Sequence, residues 1–153
     1  MYSPILVTWR SQYNRMERGY IHLNEPYQSS TNYEDDIQHY FQDCWHLKDW
    51  IKNDVSVSQA VRERVEAEVE KHEPLRIVAD LANGSKHLSR HKNREGAYVT
   101  GGHLTIGLGQ NKPIDIDYEV TLAKTGAVCS AKVIVKEAFN AWQLVLKEFK
   151  LFE

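Results

Sequence analysis

The apolar residues of this chain change their period near residue 97, and that change sets its fold class. Up to about His87 they recur every three or four positions, the spacing of one helix face. From Ile114 the pattern is different: Ile114, Ile116, Tyr118, Val120 and Leu122 alternate with Asp115, Asp117, Glu119 and Thr121, as in a strand with one wet face. Val135, Phe139, Trp142, Val145, Leu146 and Phe149 then return to the helical spacing. The expectation is an α+β fold, mostly helical: a helical bundle over 5–87 and 133–150 with a small antiparallel β-meander, 97–132, before the C-terminal helix. At 153 residues the chain fits one domain with one core.

Local signals set the expected boundaries. Leu6, Trp9, Tyr13, Met16, Tyr20 and Leu23 predict a first helix from Ile5 to Leu23. Thr31 with Glu34 reads as a capping box opening a helix from Asn32 to about Asn53, and Ser56 with Gln59 reads as a second box opening a shorter one. Pro74 suits the first turn of a helix running through about His87. The tetrapeptide Lys124 to Ala127 makes a turn, returning the chain in a strand from Val128 to about Lys132, and Gly101 and Gly102 suggest a bulge in the strand before it.

Charge and cysteine content narrow the function classes. Nineteen Lys plus Arg against 21 Asp plus Glu leave a net charge of −2, so any contact with nucleic acid must be local. The two cysteines, Cys44 and Cys129, form no CxxC pair and point to a reduced, cytoplasmic chain. The start carries no export leader, and apolar runs are too short for a membrane span. No GxxxxGK[ST], GxSxG or HExxH occurs, which disfavours phosphate-loop, serine-hydrolase and common zinc chemistry.

The most informative segment runs from Arg76 to His87. At 100° per residue Arg76, Asp80, Asn83 and His87 fall within about a 60° arc of one helix face, while Leu75, Val78, Leu81 and Ala82 point elsewhere. A solvated face with an Arg76 to Asp80 pair is the plain reading. The alternative comes from the residues Asn83-Gly-Ser-Lys-His87, which resemble the motif of HEPN domains. These are small helical domains often found as RNA-cleaving toxins or antiviral effectors. Their motif has an Arg, commonly followed by Asn, and then a His about four to six residues further on. Asn83 and His87 occupy the positions of that Asn and His, and Ala82 stands where the family has its Arg.

The resemblance implies an RNA-directed bacterial effector of the defence or toxin type, with metal-independent endoribonuclease activity and no cofactor. In the family, Arg and His from two chains meet across a homodimer interface. His87 would then move a proton, and a guanidinium would steady the phosphate. Arg76 lies about 16 Å from His87 along the axis, so only an antiparallel pairing of two such helices would bring Arg76 of one chain to His87 of the other. The catalytic candidates are accordingly His87, Asn83 and Arg76. With Ala82 in place of Arg, the other reading is a non-catalytic module for protein interaction or dimerisation. The literal match Arg15 to His22 lies on the opening helix, where the motif is not expected.

Residues 85–94 hold the one basic concentration, and Lys86, Arg90, Lys92 and Arg94 are the candidate phosphate contacts. A second polar stripe, His39, Asp43, His46 and Trp50, suggests a contact surface, or zinc if a further ligand completes it. Trp45 and Trp50 leave different sides of the same helix, so one of them is expected to need cover from a second chain. The expected partners are a second copy, RNA or another protein, and not a membrane.

Overall fold

A computed structural model describes residues 8–25, 30–84, 95–106 and 114–152. These form α1 (Trp9–Leu23), α2 (Ser30–Asn53), α3 (Gln59–Glu70), α4 (Glu73–Gly84), β1 (Ala97–Ile106), β2 (Ile114–Leu122), β3 (Val128–Ser130) and α5 (Ala131–Glu148). The fold is a mostly helical α+β bundle with a small antiparallel sheet of order β1-β2-β3. No described helix is long and apolar enough to cross a membrane.

The helix starts differ from the expected ones for identifiable reasons. Thr8 is extended and caps α1, its side chain accepting from the Ser11 amide while the Ser11 hydroxyl faces the Thr8 amide, so the helix begins at Trp9 rather than Ile5. Thr31 lies inside the first turn of α2, not at its cap. Ser58, not Ser56, caps α3 by accepting from the Val61 amide, because Ser56 is held by Asp54 instead. Ser130 caps α5, which shortens β3 to three residues and turns Ala131 and Lys132 into helix. The described part of α4 ends at Gly84, and the expected extension to His87 lies outside the described residues.

The core is one cluster, built from the helix stripes and the inner face of the sheet. Trp142 is fully buried and donates from Nε1 to the Cys44 carbonyl at 2.9 Å, while Tyr40 donates to the Val135 carbonyl at 3.0 Å, so two aromatic groups tie α5 to α2. Burial raises the Cys44 thiol to about 12, which makes it an inert packing group.

In the sheet, the alternation in β2 has its expected result: Ile116, Val120 and Leu122 are buried, and Asp115 is exposed. The bulge falls where the glycines suggested it, between Val99 and Gly101. The turn between β2 and β3 relies on Gly126, whose φ of +75° suits glycine.

Candidate functional site

The face of α4 carrying Arg76, Asp80 and Asn83 is largely not a solvated one. Asp80 is fully buried and accepts from the backbone amides of Glu95 at 2.9 Å and Ala97 at 3.2 Å. This corrects the expectation that the stripe points away from the core. The physical reason is the chain entering β1: it passes against α4, where a carboxylate accepts from its amides. Arg76 donates from Nε to Glu95 at 2.7 Å and from Nη1 to the Glu70 carbonyl at 2.7 Å. Glu95 is itself nearly buried, so this is a shielded ion pair joining α4 to the start of β1. Between Glu95 and β1, Gly96 has φ +64°, and a Cβ there would lie 2.7 Å from that of Ala123.

Asn83 is half-buried at the end of α4, and Ala82, the residue at the family's Arg position, is buried in the core. His87, Lys86, Arg90, Lys92 and Arg94 all lie outside the described residues. What is described lies on either side of them: α4 is described to Gly84, and the Glu95 amide is bonded to Asp80 one turn before Gly84 on that helix.

Beside this clasp, a cleft of about 340 Å³ opens between α2, α4 and the sheet. Its inner lining includes the buried side chains of Ile37, Phe41, Leu81 and Val120. Toward solvent it is edged by Glu34, Gln38, Tyr98 and Tyr118. Tyr118 packs against Tyr33, with ring centroids 5.8 Å apart, and lies so close over Gly102 that a Cβ there would approach its ring to 3.0 Å. Burial raises the Tyr118 hydroxyl above its ordinary range, and the nearby Glu34 carboxylate adds to the shift. The Gln38 amide nitrogen is shielded from water and has no hydrogen-bond partner among the described residues. The buried Asp80 also lines the cleft, beside its apolar side chains.

The α2 stripe is divided by its surroundings. His39 is exposed, Trp50 packs partly buried against the core, and Asp43 is half-buried under Gln12, whose Nε2 donates to the Asp43 carbonyl oxygen at 3.0 Å and lies 3.4 Å from Oδ1. Among the described residues, no group of three His, Cys, Asp or Glu side chains is gathered as a bound metal requires. Trp45 is buried with Lys48 over its ring, so both tryptophans find cover within one chain and neither calls for a second. On α1, the His22 ring lies within hydrogen-bonding distance of Asp36 and Glu25 at the surface.

Sequence reasoning missed Glu95 and the cleft. Glu95 follows the basic run directly and reads there as one opposing charge, while Glu34 reads as a capping residue. Only the return of the chain to α4 gives them their neighbours. No protein-family model, curated protein or solved structure matches this chain.

Proposed function

We propose that the protein is a HEPN-like interaction module, non-catalytic, which acts by holding a partner protein or a second copy of itself. The observation that carries this reading is the use made of Arg76. Its guanidinium is bound to Glu95 and to the Glu70 carbonyl, and reaching a phosphate would break a shielded ion pair and strand a nearly buried carboxylate. Ala82 offers no replacement. The test is sedimentation of the purified protein together with an RNA-cleavage assay in chelator. Self-association or a stable protein complex without cleavage supports the module, and cleavage of single-stranded RNA at a rate dependent on His87 defeats it.

One observation favours the second reading, an RNA-directed effector of the defence or toxin type with metal-independent endoribonuclease activity. The residues that flank the basic segment, Gly84 and Glu95, both lie at α4, and Lys86, Arg90, Lys92 and Arg94 between them in the sequence are the phosphate contacts of this reading. In this reading His87 moves the proton, and His87→Ala lowers cleavage by about 10²–10⁴-fold. Salt separates the partners. Phosphate binding by those four cations weakens steeply between about 50 and 200 mM salt, and an apolar protein contact hardly responds.

A further inference from the structure

β1 is the long outer strand of the sheet. It runs ten residues, Ala97–Ile106, against β2 on one side, and among the described residues no strand pairs with its other side. The Ala97 amide turns away from β2 to Asp80, so α4 fills the first position of that outer edge. Backbone groups alternate in direction along an antiparallel ladder, so the Val99 amide, two residues on, faces outward as well. Val99 also marks where the core stops. It pairs with Val120 and shares its sheet face, as Ala97 does with Leu122; Ala97, Val120 and Leu122 are buried, yet Val99 is 54% exposed. Tyr98, on the opposite face, is 45% exposed. An uncovered apolar residue on the core face of an edge strand, beside a row of outward backbone groups, has the form of a strand-pairing surface.

We propose that β1 pairs with β1 of a second copy, antiparallel about a two-fold axis, joining two three-stranded sheets into one of six strands. The inference rests on the reading of the protein as an interaction module and names its surface. Charge favours self-pairing. Ala97–Ile106 contain no Asp, Glu, Lys or Arg, so two identical edges meet without like-charge repulsion, and the strand lacks the lysine or proline that commonly blocks such contact. The same lack of charge gives a foreign strand no ionic feature to match. Two antiparallel copies supply each other's donors and acceptors, and the contact is isologous, so it closes as a dimer. The other edge of the sheet is a poor competitor, because β3 has three residues and passes directly into α5. The bulge between Val99 and Gly101 bends the edge and shortens the run that can pair, which sets the expected affinity in the micromolar range.

The test is sedimentation of the full chain from about 1 to 200 µM, with amide hydrogen exchange at both ends of that range. The parent is expected to pass from monomer to dimer with a dissociation constant of about 10–50 µM, and the outward-facing amides between Val99 and Ile106 to exchange about threefold more slowly at the high concentration. Val99→Lys should weaken the dimer about tenfold or more. Because Val99 is exposed, this variant should keep the parent's thermal midpoint at about 1 µM, and lost pairing is then not lost folding. Val128→Lys places the same charge on the other edge strand, at a residue 61% exposed, and should leave the dimer unchanged. Monomer throughout overturns the proposal and leaves the module reading to a foreign partner. A dimer that tolerates Val99→Lys, or that Val128→Lys breaks equally, also overturns it while the module reading stands. Outward amides already fully protected at about 1 µM overturn it too, since the edge is then covered within one chain. Cleavage of RNA dependent on His87 defeats the module reading, and the sedimentation result still decides the strand pairing.

Discussion

Asp80 and Asp43 sit at equivalent places in two polar stripes, one on α4 and one on α2, and the fold treats them differently. Asp80 is fully buried and takes two backbone amides from the chain entering β1. Asp43 is half-buried at the seam with α1, where burial raises its carboxyl above the usual range against the lowering effects of the Gln12 hydrogen bond and of Arg15, His39 and His46. Gln12 is itself buried with a side-chain carbonyl oxygen that has no partner among the described residues. The difference lies in what faces each carboxylate. The strand-entry amides bond to Asp80 directly and make it structural. A neighbouring helix has already used its amides internally and offers Asp43 only side chains.

The largest test of this contrast is Asp80→Ala. It leaves the Glu95 and Ala97 amides without that acceptor in the core, at about 1–3 kcal/mol for each buried group, so a total loss of about 2–6 kcal/mol is expected in urea unfolding. A loss below about 1 kcal/mol would mean that water or relaxation replaces the carboxylate, and the contrast with Asp43 would collapse. Next comes Gly96→Ala, which combines a left-handed backbone with a Cβ meeting Ala123, at a cost of about 1–3 kcal/mol. Gly126→Ala is its control. The backbone there is also left-handed, but nothing lies near the added carbon, so its loss should be the smaller of the two.

Arg76→Gln should cost about 1–2 kcal/mol, less than a fully buried pair would, because Arg76 keeps some contact with water. A double-mutant cycle with Glu95→Gln should recover part of that loss; strictly additive losses would show that the pair is uncoupled. This variant also bears on function. Any loss of activity in it must be compared with its loss of stability before Arg76 is given a chemical role.

The fold class was legible because hydrophobic period survives without knowledge of tertiary contacts. Ile116, Val120 and Leu122 alternate in the sequence and are buried in the sheet, and Tyr13, Ile37 and Trp142 repeat at helical spacing and enter the core. The caps were half legible. Ser56 and Ser58 both have the chemistry of a cap, and the choice between them was made by Asp54, which takes the Ser56 hydroxyl. The site was least legible. A polar stripe gives direction around a helix axis but not what lies in that direction, and Asp80 reads as a surface residue until β1 is brought against it. The cleft needs three elements far apart in sequence, and no local spacing encodes it.

The smallest expected effect is on Asp43 and is read as a pH dependence. Its folded carboxyl holds a proton more tightly than the unfolded one, because burial outweighs the Gln12 hydrogen bond and the nearby positive groups. Above the folded pKa both states are ionised, and folding bears the full cost of the shielded charge. As the pH falls through the folded value toward the unfolded one, that cost fades, and below both it is gone. Asp43→Asn has no such cost at any pH and keeps an oxygen for Gln12. The thermal midpoint of the variant minus that of the parent should therefore be most favourable near neutrality and shrink on acidification through the ordinary carboxylate range, about pH 4. Asp54 gives the opposite sign. Burial raises its carboxyl, but the bonds from Ser56 and the Trp9 amide outweigh this and hold it low, so its contribution is present at neutral pH and is lost as the pH falls through the folded value. Asp54→Asn should thus be least favourable near neutrality, relative to the parent, and recover in acid. If the two difference curves run in the same direction, burial does not govern Asp43, and the seam between α1 and α2 is wetter than its packing implies.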